Sequence, residues 1–242
     1  MRDKLQVKSP DAIGWINLLI YGEPGAGKTW LTGTAQDHDK TGPILLLDVE
    51  GGTVTLRDRK DIDVKQVRSI SDIVEIHRTL VEENNNYYKT VIIDSLTELQ
   101  KLDMRDIMKE VVNKRPDLDP DVPSMREWGK SSEHIRRIVR GFRDLEMNTI
   151  MTALMQVEKD EVGVVTYYPA LPGKLRAEIP GFLDIVGYLY TVVEDDETIR
   201  KIQFAKTRRI TAKDRTSALG DSMSNPTVPM IWDLIHSKTN AK

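Results

Sequence analysis

The chain has 242 residues, 39% of them hydrophobic, which is enough to bury one sizeable core and fits a single α/β domain. Its 35 basic and 38 acidic residues give a net charge of −3, so no overall positive field draws it to nucleic acid or anionic lipid, and any polyanion site must be local. It has no cysteine and four scattered histidines, which excludes disulfides, thiolate zinc sites and a cysteine nucleophile and argues against a histidine metal cluster.

Short apolar runs of strand length alternate with helical patterns along most of the chain. Strands are predicted at Ile16–Tyr21, Ile44–Leu47, Val64–Val67, Thr90–Ile93, Thr149–Leu154, Asp184–Val193 and Ile199–Ala205. Helices are predicted at Lys28–Ala35, Ser71–Glu83, Leu96–Val112 and Glu133–Leu145. Several strands are continuously apolar, which is typical of a parallel sheet covered on both faces. The pattern predicts a three-layer, doubly wound α/β fold with a mostly parallel central sheet and helices on both faces.

The alternation stops after Gln156. Val162–Tyr168 and the Pro- and Gly-containing segment that follows predict an exposed hairpin or mobile loop. We expect one domain over residues 1–242, with a core at about 14–215 and a C-terminal tail at 216–242. Met1–Gln6 lacks the apolar run of a signal peptide, and we expect a soluble cytoplasmic protein with no membrane partner.

A glycine-rich loop lies between the first predicted strand and the first predicted helix. It reads Gly22-Glu23-Pro24-Gly25-Ala26-Gly27-Lys28-Thr29 and matches the string G-x-x-x-x-G-K-[ST]. Its glycines let backbone N–H groups point inward as an anion nest, and the helix N-terminus adds its positive dipole end. We expect Lys28 to reach the β- and γ-phosphates of ATP, Thr29 to ligate Mg²⁺, and Trp30 to belong to the nucleotide site. The alternative is a chance glycine turn before a helix.

An acidic residue ends the predicted strand at Thr90–Ile93. A magnesium ion held by one hydroxyl and two phosphates needs a carboxylate behind it, usually from the end of a neighbouring buried strand. Asp94 occupies that position, so Thr29 and Asp94 are the predicted magnesium residues. The alternative is that Asp94 only caps the strand and starts the next helix.

Two further polar residues are predicted at the carboxyl ends of strands, where ligands bind in a doubly wound sheet. Glu50 follows the strand at Ile44–Leu47 and is placed to polarise an attacking water. Gln156 comes at the end of another strand and is placed to sense the γ-phosphate. The alternatives are a solvated loop acid for Glu50 and a surface amide for Gln156.

Together these residues resemble the RecA-like ATPase core of recombinases and hexameric helicases. In that family a glutamate in an Asp-x-Glu string, here Asp48-Val49-Glu50, is the catalytic base. Asp94-Ser95 is similar to the family's second Walker motif. Gln156 is similar to the switch glutamine that links the γ-phosphate to a DNA-binding loop. The resemblance runs from about Ile16 to Arg215.

The resemblance also assigns roles to basic residues near the end of this range. Lys206 and Arg208 resemble a basic pair, on one face of a strand, that reaches into the ATP site of the adjacent subunit. Lys213 and Arg215 are the alternative pair, in which case Lys206 and Arg208 bind DNA. From Thr198 to Arg215 there are seven basic residues against one acid, a local excess that the net charge conceals.

The pattern is most similar to the minimal RecA-like ATPases that phages encode beside recombination or single-strand annealing functions. Larger members carry additional domains or collars, for which this chain has no room. The resemblance implies a Mg-ATP-dependent, DNA-dependent ATP hydrolase that works in recombination or annealing in the bacterial host cytoplasm. Its implied partners are single-stranded DNA, further copies of the chain in a filament or ring, and a single-strand binding protein.

Two segments would face the DNA in a RecA-like filament: the insert from Lys114 to Trp128 and the stretch from Val157 to Pro180. The second combines aromatic stacking with phosphate contacts, the combination that single-stranded DNA binding uses, at Tyr167, Tyr168, Lys174 and Arg176. Val157–Glu161 departs from a DNA contact because it is acidic. The alternative is an ordinary surface hairpin whose tyrosines are packed down.

Four functions are compatible with these residues: a recombination ATPase that polymerises on single-stranded DNA, a ring-shaped helicase or translocase, a small-molecule P-loop kinase, and a nucleotide-switched scaffold with slow turnover. A kinase needs an arginine-rich lid and an acceptor pocket, and Glu50 would then bind the acceptor rather than water. Strand unwinding separates the first two functions. ATP turnover with and without single-stranded DNA distinguishes among all four.

Overall fold

The computed structural model describes residues 14–82 and 87–239, and the expectations for Met1–Gln6 and for Glu83 lie outside these residues. The strands are β1 (Asn17–Gly22), β2 (Ile44–Asp48), β3 (Asp63–Gln66), β4 (Thr90–Asp94), β5 (Asn148–Lys159), β6 (Val165–Pro169), β7 (Ile185–Glu194), β8 (Glu197–Gln203), β9 (Lys213–Asp214) and β10 (Ser222–Ser224). The helices are α1 (Lys28–Gly33), α2 (Ile70–Glu82), α3 (Leu96–Lys114), α4 (Met125–Arg143), α5 (Leu175–Phe182) and α6 (Val228–Thr239).

The strands form a mixed sheet in the order β10-β8-β7-β1-β5-β4-β2-β3, with β6 paired to β5 and β9 paired to β7. The neighbours from β7 to β3 in this order are all parallel. The other pairings, at β6, β8, β9 and β10, are antiparallel. β1 lies near the middle of this order, between β5 and β7, and pairs in parallel with both. The loop that follows β1 is therefore central on the carboxyl edge of the sheet.

Two apolar layers cover the sheet. On one face, α1 and α6 place Leu31 and Ile231 against Leu18 and Ile20 of β1, and all four side chains are fully buried. On the other face, residues of α2, α3, α4 and α5 pack against β1, β4 and β5, through side chains that include Ile73, Leu99, Phe142 and Ile179. β4 is buried along its whole length, as expected for a strand covered on both sides. The prediction of a mostly parallel sheet between two helical layers is confirmed.

The region predicted as an insert contains the first turn of a helix, which corrects the predicted start of that helix at Glu133. α4 begins at Met125 because Ser124 and Glu127 form a capping box: the Ser124 Oγ accepts from the Arg126 N–H, and the Glu127 carboxylate accepts from the Ser124 N–H at 2.9 Å. Met125 and Trp128 are exposed, so this first turn adds no buried apolar residue to the stripe from which the helix was predicted. The segment from Lys114 to Trp128 is therefore the end of α3, a connecting loop and the first turn of α4.

The C-terminal segment expected as a tail contains a strand and a helix within the described residues. β10 pairs with β8, and α6 buries Ile231 and Trp232 in the core. The Val228 N–H donates to the Thr34 Oγ1 at 2.9 Å, which joins the start of α6 to the turn after α1. Asn225 and Pro226, which are typical turn residues, precede this helix in the sequence.

Two strand ends also differ from the prediction. β5 continues to Lys159 because β6 pairs with it, so Gln156 lies inside the β5–β6 hairpin rather than at a strand end. β8 stops at Gln203, and Lys206 and Arg208 therefore do not lie on a strand. The Thr207 Oγ1 accepts from the Arg209 and Ile210 N–H groups, at 3.2 and 3.0 Å, and so forms a local turn in place of strand hydrogen bonds.

Candidate nucleotide-binding site

The glycine-rich loop connects β1 to α1 and closes around Lys28. Gly25 and Gly27 have positive φ angles of 79° and 93°, which residues with a Cβ rarely adopt. The Lys28 ammonium donates to the carbonyl oxygens of Gly22 at 3.1 Å and Glu23 at 2.9 Å. The loop therefore has the strand-to-helix geometry of a P-loop, with its lysine folded back onto its own backbone.

The Lys28 side chain is enclosed by the loop, and this burial makes its charged form less favourable. Burial lowers the pKa of the Lys28 ammonium below its ordinary value, and the nearby Glu50 and Asp94 carboxylates oppose this effect. Phosphate groups in the loop would add further negative charge beside the ammonium. The site is thus one in which a polyanion stabilises a buried cation.

Asp94 occupies the end of β4 beside the P-loop. It is 2% exposed, and its Oδ2 accepts a hydrogen bond from the Thr29 Oγ1 at 2.6 Å. Its Oδ1 accepts from the Thr152 hydroxyl of β5. A carboxylate next to a hydroxyl is an oxygen donor set of the kind that Mg²⁺ prefers, so these residues fit a magnesium ion. Among the described residues no group of three acidic or histidine side chains could hold a metal. Phosphate oxygens and waters would complete the coordination of an ion held by Thr29 and Asp94.

The contacts of Asp94 also separate the two explanations of this residue. The N-cap of α3 is Ser95, whose side chain accepts from the Glu98 N–H at 3.4 Å. Because Ser95 starts the helix, the Asp94 carboxylate is free to face the P-loop. Sequence reasoning missed Thr152, although a polar residue within an otherwise apolar strand was a usable signal.

Glu50 follows β2 and lies next to the end of β4. Its N–H donates to the Asp94 carbonyl oxygen at 3.3 Å, and its side chain is exposed. The buried Asp48 shapes this turn, since its Oδ1 accepts from the Gly51 N–H at 2.7 Å. Glu50 is thus placed beside Lys28 and Asp94, in electrostatic contact with the lysine.

Gln156 lies four residues beyond Thr152 on β5. It is exposed, and it pairs with Tyr168 of β6. Because side chains alternate along a strand, Gln156 points to the same face of β5 as Thr152, which contacts Asp94. Gln156 thus lies on the same face of β5 as the threonine beside Asp94, further toward the tip of the β5–β6 hairpin.

The structure distinguishes the two basic pairs. The Lys213 ammonium donates to the Pro180 carbonyl at 2.8 Å, and burial lowers its pKa. The Arg215 guanidinium donates to the Asp184 carboxylate at 3.0 Å. Lys206 and Arg208 are exposed, and within the described part of the chain their side chains have no hydrogen-bond or ion-pair partner. Lys206 and Arg208 are therefore the pair that is available to a ligand or to another molecule.

The tyrosines of the β5–β6 hairpin are engaged within the molecule. The Tyr167 ring stacks on Tyr188, with centroids 5.5 Å apart. The Tyr168 hydroxyl donates to Glu158 at 2.5 Å, and Arg176 lies over the Tyr168 ring. Tyr167 therefore fits the alternative interpretation, in which the tyrosines of an ordinary surface hairpin pack against the protein. The Lys174 side chain is exposed, and it makes no hydrogen bond or ion pair among the described residues.

A three-layer α/β sheet with a P-loop after a central strand, and an aspartate from a neighbouring strand bonded to the loop threonine, defines a P-loop nucleoside triphosphatase. The family model described as the AAA domain matches residues 16–216. The chain therefore belongs to the AAA domain family, and nucleotide hydrolysis is the activity that this membership supports. No curated protein matches the chain. None of the helices in the described ranges is long and apolar enough to cross a membrane.

Proposed function

We propose that the chain is a magnesium-dependent ATPase that binds single-stranded DNA in recombination or annealing and assembles so that its ATP sites lie at contacts between copies. The hydrogen bond between Thr29 and Asp94 beside the P-loop, with Glu50 next to it, carries the hydrolase part of this proposal. The uncommitted cations of the loop at 206–209 support the DNA and assembly parts.

Each residue of the site has a distinct role in hydrolysis. Lys28 exchanges its two carbonyl partners for the β- and γ-phosphate oxygens. Thr29 and Asp94 would hold a magnesium ion, which neutralises charge on those phosphates when bound. Glu50 orients the attacking water and accepts its proton. A small-molecule kinase is the alternative, in which Glu50 at the same position would bind the acceptor instead of water.

The loop at 206–209 is joined to the β5–β6 hairpin. The Tyr167 N–H donates to the Arg209 carbonyl at 2.7 Å, and the Thr211 N–H donates to the Tyr167 carbonyl at 3.2 Å. The backbone of this loop is therefore fixed beside Tyr167 of the hairpin. Charges that are not neutralised within the chain can bind DNA phosphates or the γ-phosphate in a neighbouring copy.

DNA-dependent turnover is the main test of this proposal. ATP hydrolysis by the full-length protein is measured with and without single-stranded DNA. We expect DNA to raise the rate, and this rise to shrink as salt increases, because phosphate contacts are salt-dependent. An unchanged rate, with no DNA binding at low salt, would contradict the DNA role. ATP-dependent unwinding of a duplex would indicate a helicase, and phosphate transfer to a small acceptor would indicate a kinase.

Catalysis across a subunit contact is tested by mixing two variants. Arg208→Ala is expected to keep ATP affinity and lose turnover, because the γ-phosphate lacks a donor from the neighbouring copy. Mixing it with Glu50→Gln is expected to restore part of the activity, since some contacts then pair an intact Glu50 with an intact Arg208. Arg78→Ala, which removes an exposed arginine of α2, is the matched control and should turn over normally.

The dependence of turnover on protein concentration provides the result that would contradict catalysis across a subunit contact. If turnover per subunit stays constant down to the monomer and the mixture shows no rescue, Arg208 does not act in a neighbouring site. A loss of DNA binding by Arg208→Ala with normal basal turnover would instead assign this loop to DNA.

A further inference from the structure

The hairpin formed by β7 and β8 extends beyond the P-loop. Gly22, the last residue of β1, pairs with Leu189 of β7, and β7 continues to Glu194. β8 returns beside it, with Arg200 opposite Thr191. The outer part of this hairpin therefore extends beyond the end of β1, where the P-loop begins.

Arg200 lies on the face of the hairpin that is directed toward α1. It alternates with Lys201 and shares its face with Ile202, which packs in the same apolar cluster as residues of α1. The Arg200 Cζ is 4.8 Å from the centroid of the Trp30 ring. The Arg200 Nε is 2.5 Å from the position that a Cβ on Gly27 would occupy. The arginine thus crosses the P-loop at the start of α1.

The donors of this arginine are unused. Arg200 is half-buried, and its guanidinium has no hydrogen-bond acceptor among the described residues, only the face of the Trp30 ring. The adjacent Lys201 pairs with Glu194 at 2.5 Å. The backbone of Arg200 is held in place, because its carbonyl accepts from the Asn225 N–H at 2.7 Å. A guanidinium with free donors in a fixed position is suited to bidentate binding of a phosphate.

We propose that Arg200 binds the α- and β-phosphates of the nucleotide in the P-loop of its own chain, and that Trp30 holds the guanidinium in position before the nucleotide arrives. Lys28 and Thr29 serve the β- and γ-phosphates and the metal, whereas the loop backbone cradles the α- and β-phosphates. Arg200 lies against that backbone at Gly27 and therefore contacts phosphates that ATP and ADP share. The inference rests on nucleotide binding in the proposed function and needs neither DNA nor assembly.

Nucleotide affinity of Arg200→Met tests the assignment. Methionine keeps an unbranched apolar stem over Trp30 and removes the charge. With the full-length protein and magnesium, calorimetric titration is expected to show binding of both ATP and ADP that is weaker by at least about tenfold, because one or more charge-assisted hydrogen bonds are lost. Lys201→Met is the matched control, because it removes the neighbouring cation from the opposite face, and its affinities should not change.

Unchanged affinities in folded Arg200→Met would overturn the proposal. A loss confined to ATP would also overturn it, because it would place Arg200 at the γ-phosphate. Thermal unfolding is followed in parallel, since a purely structural role lowers the melting temperature without weakening nucleotide binding by the folded protein. Arg200→Lys retains the charge and provides a second variant, for which we expect a smaller loss that is again equal for ATP and ADP. Intact binding of both nucleotides by Lys28→Ala would instead indicate failure of the P-loop assignment itself.

Discussion

Lys28→Ala is expected to abolish ATP binding at concentrations that saturate the unsubstituted protein. Lys28 is the side-chain cation that the loop encloses, and its ammonium already donates to two backbone oxygens of the loop. Its transfer to two phosphate oxygens would form two charge-assisted hydrogen bonds, each contributing about 1.5–3 kcal/mol. Their loss corresponds to an affinity that is at least about 100-fold weaker, and turnover is lost with it.

Direct titration with ATP and a coupled assay of phosphate release measure this result. Lys60→Ala is the matched control, because Lys60 is exposed and lies outside the P-loop. Circular dichroism verifies that Lys28→Ala is folded, since the Gly22 and Glu23 carbonyls lose their donor in this variant. Near-normal hydrolysis by a folded Lys28→Ala protein would refute the nucleotide site.

Glu50→Gln is expected to separate binding from chemistry. The amide retains the size of the side chain but cannot accept a proton from the attacking water, so turnover should fall by about 10²–10⁴-fold. This range corresponds to about 3–5 kcal/mol in the activation free energy. ATP affinity should remain within about twofold, because the main phosphate contacts come from the P-loop.

Single-turnover hydrolysis with prebound ATP measures the chemical step of this variant. Glu75→Gln provides the control, since it makes the same change on an exposed residue of α2. If Glu50→Gln loses affinity and turnover together, the role of Glu50 is to hold the turn after β2, and its assignment as the base is wrong.

The features that the sequence predicted well are local in the chain. The P-loop is a continuous string of eight residues between a strand and a helix, and its glycine angles follow from that string. Buried parallel strands such as β4 were also recognisable, because both of their faces are apolar. Neither inference needs knowledge of which distant segments meet.

The missed features depend on contacts between distant segments. Thr152 reaches Asp94 only because β5 lies between β1 and β4, an order that no local pattern specifies. Arg200 meets Trp30 because β8 folds back beside β7, and Asn225 from the C-terminal segment fixes its backbone. That segment lies beyond the matched family region, and its turn residues concealed the helix α6.

The hydrogen bond from Thr29 to Asp94 determines when the Thr29 hydroxyl loses its rotational entropy. A hydroxyl that donates its proton to Asp94 still has lone pairs for a cation, so this bond can persist when magnesium arrives with the nucleotide. The rotation of the hydroxyl is therefore restricted when the chain folds, and not when magnesium and the nucleotide bind. Under the proposed function, the metal site would be preorganised before the nucleotide binds, and the rotational entropy of this hydroxyl would not oppose the binding of each new ATP.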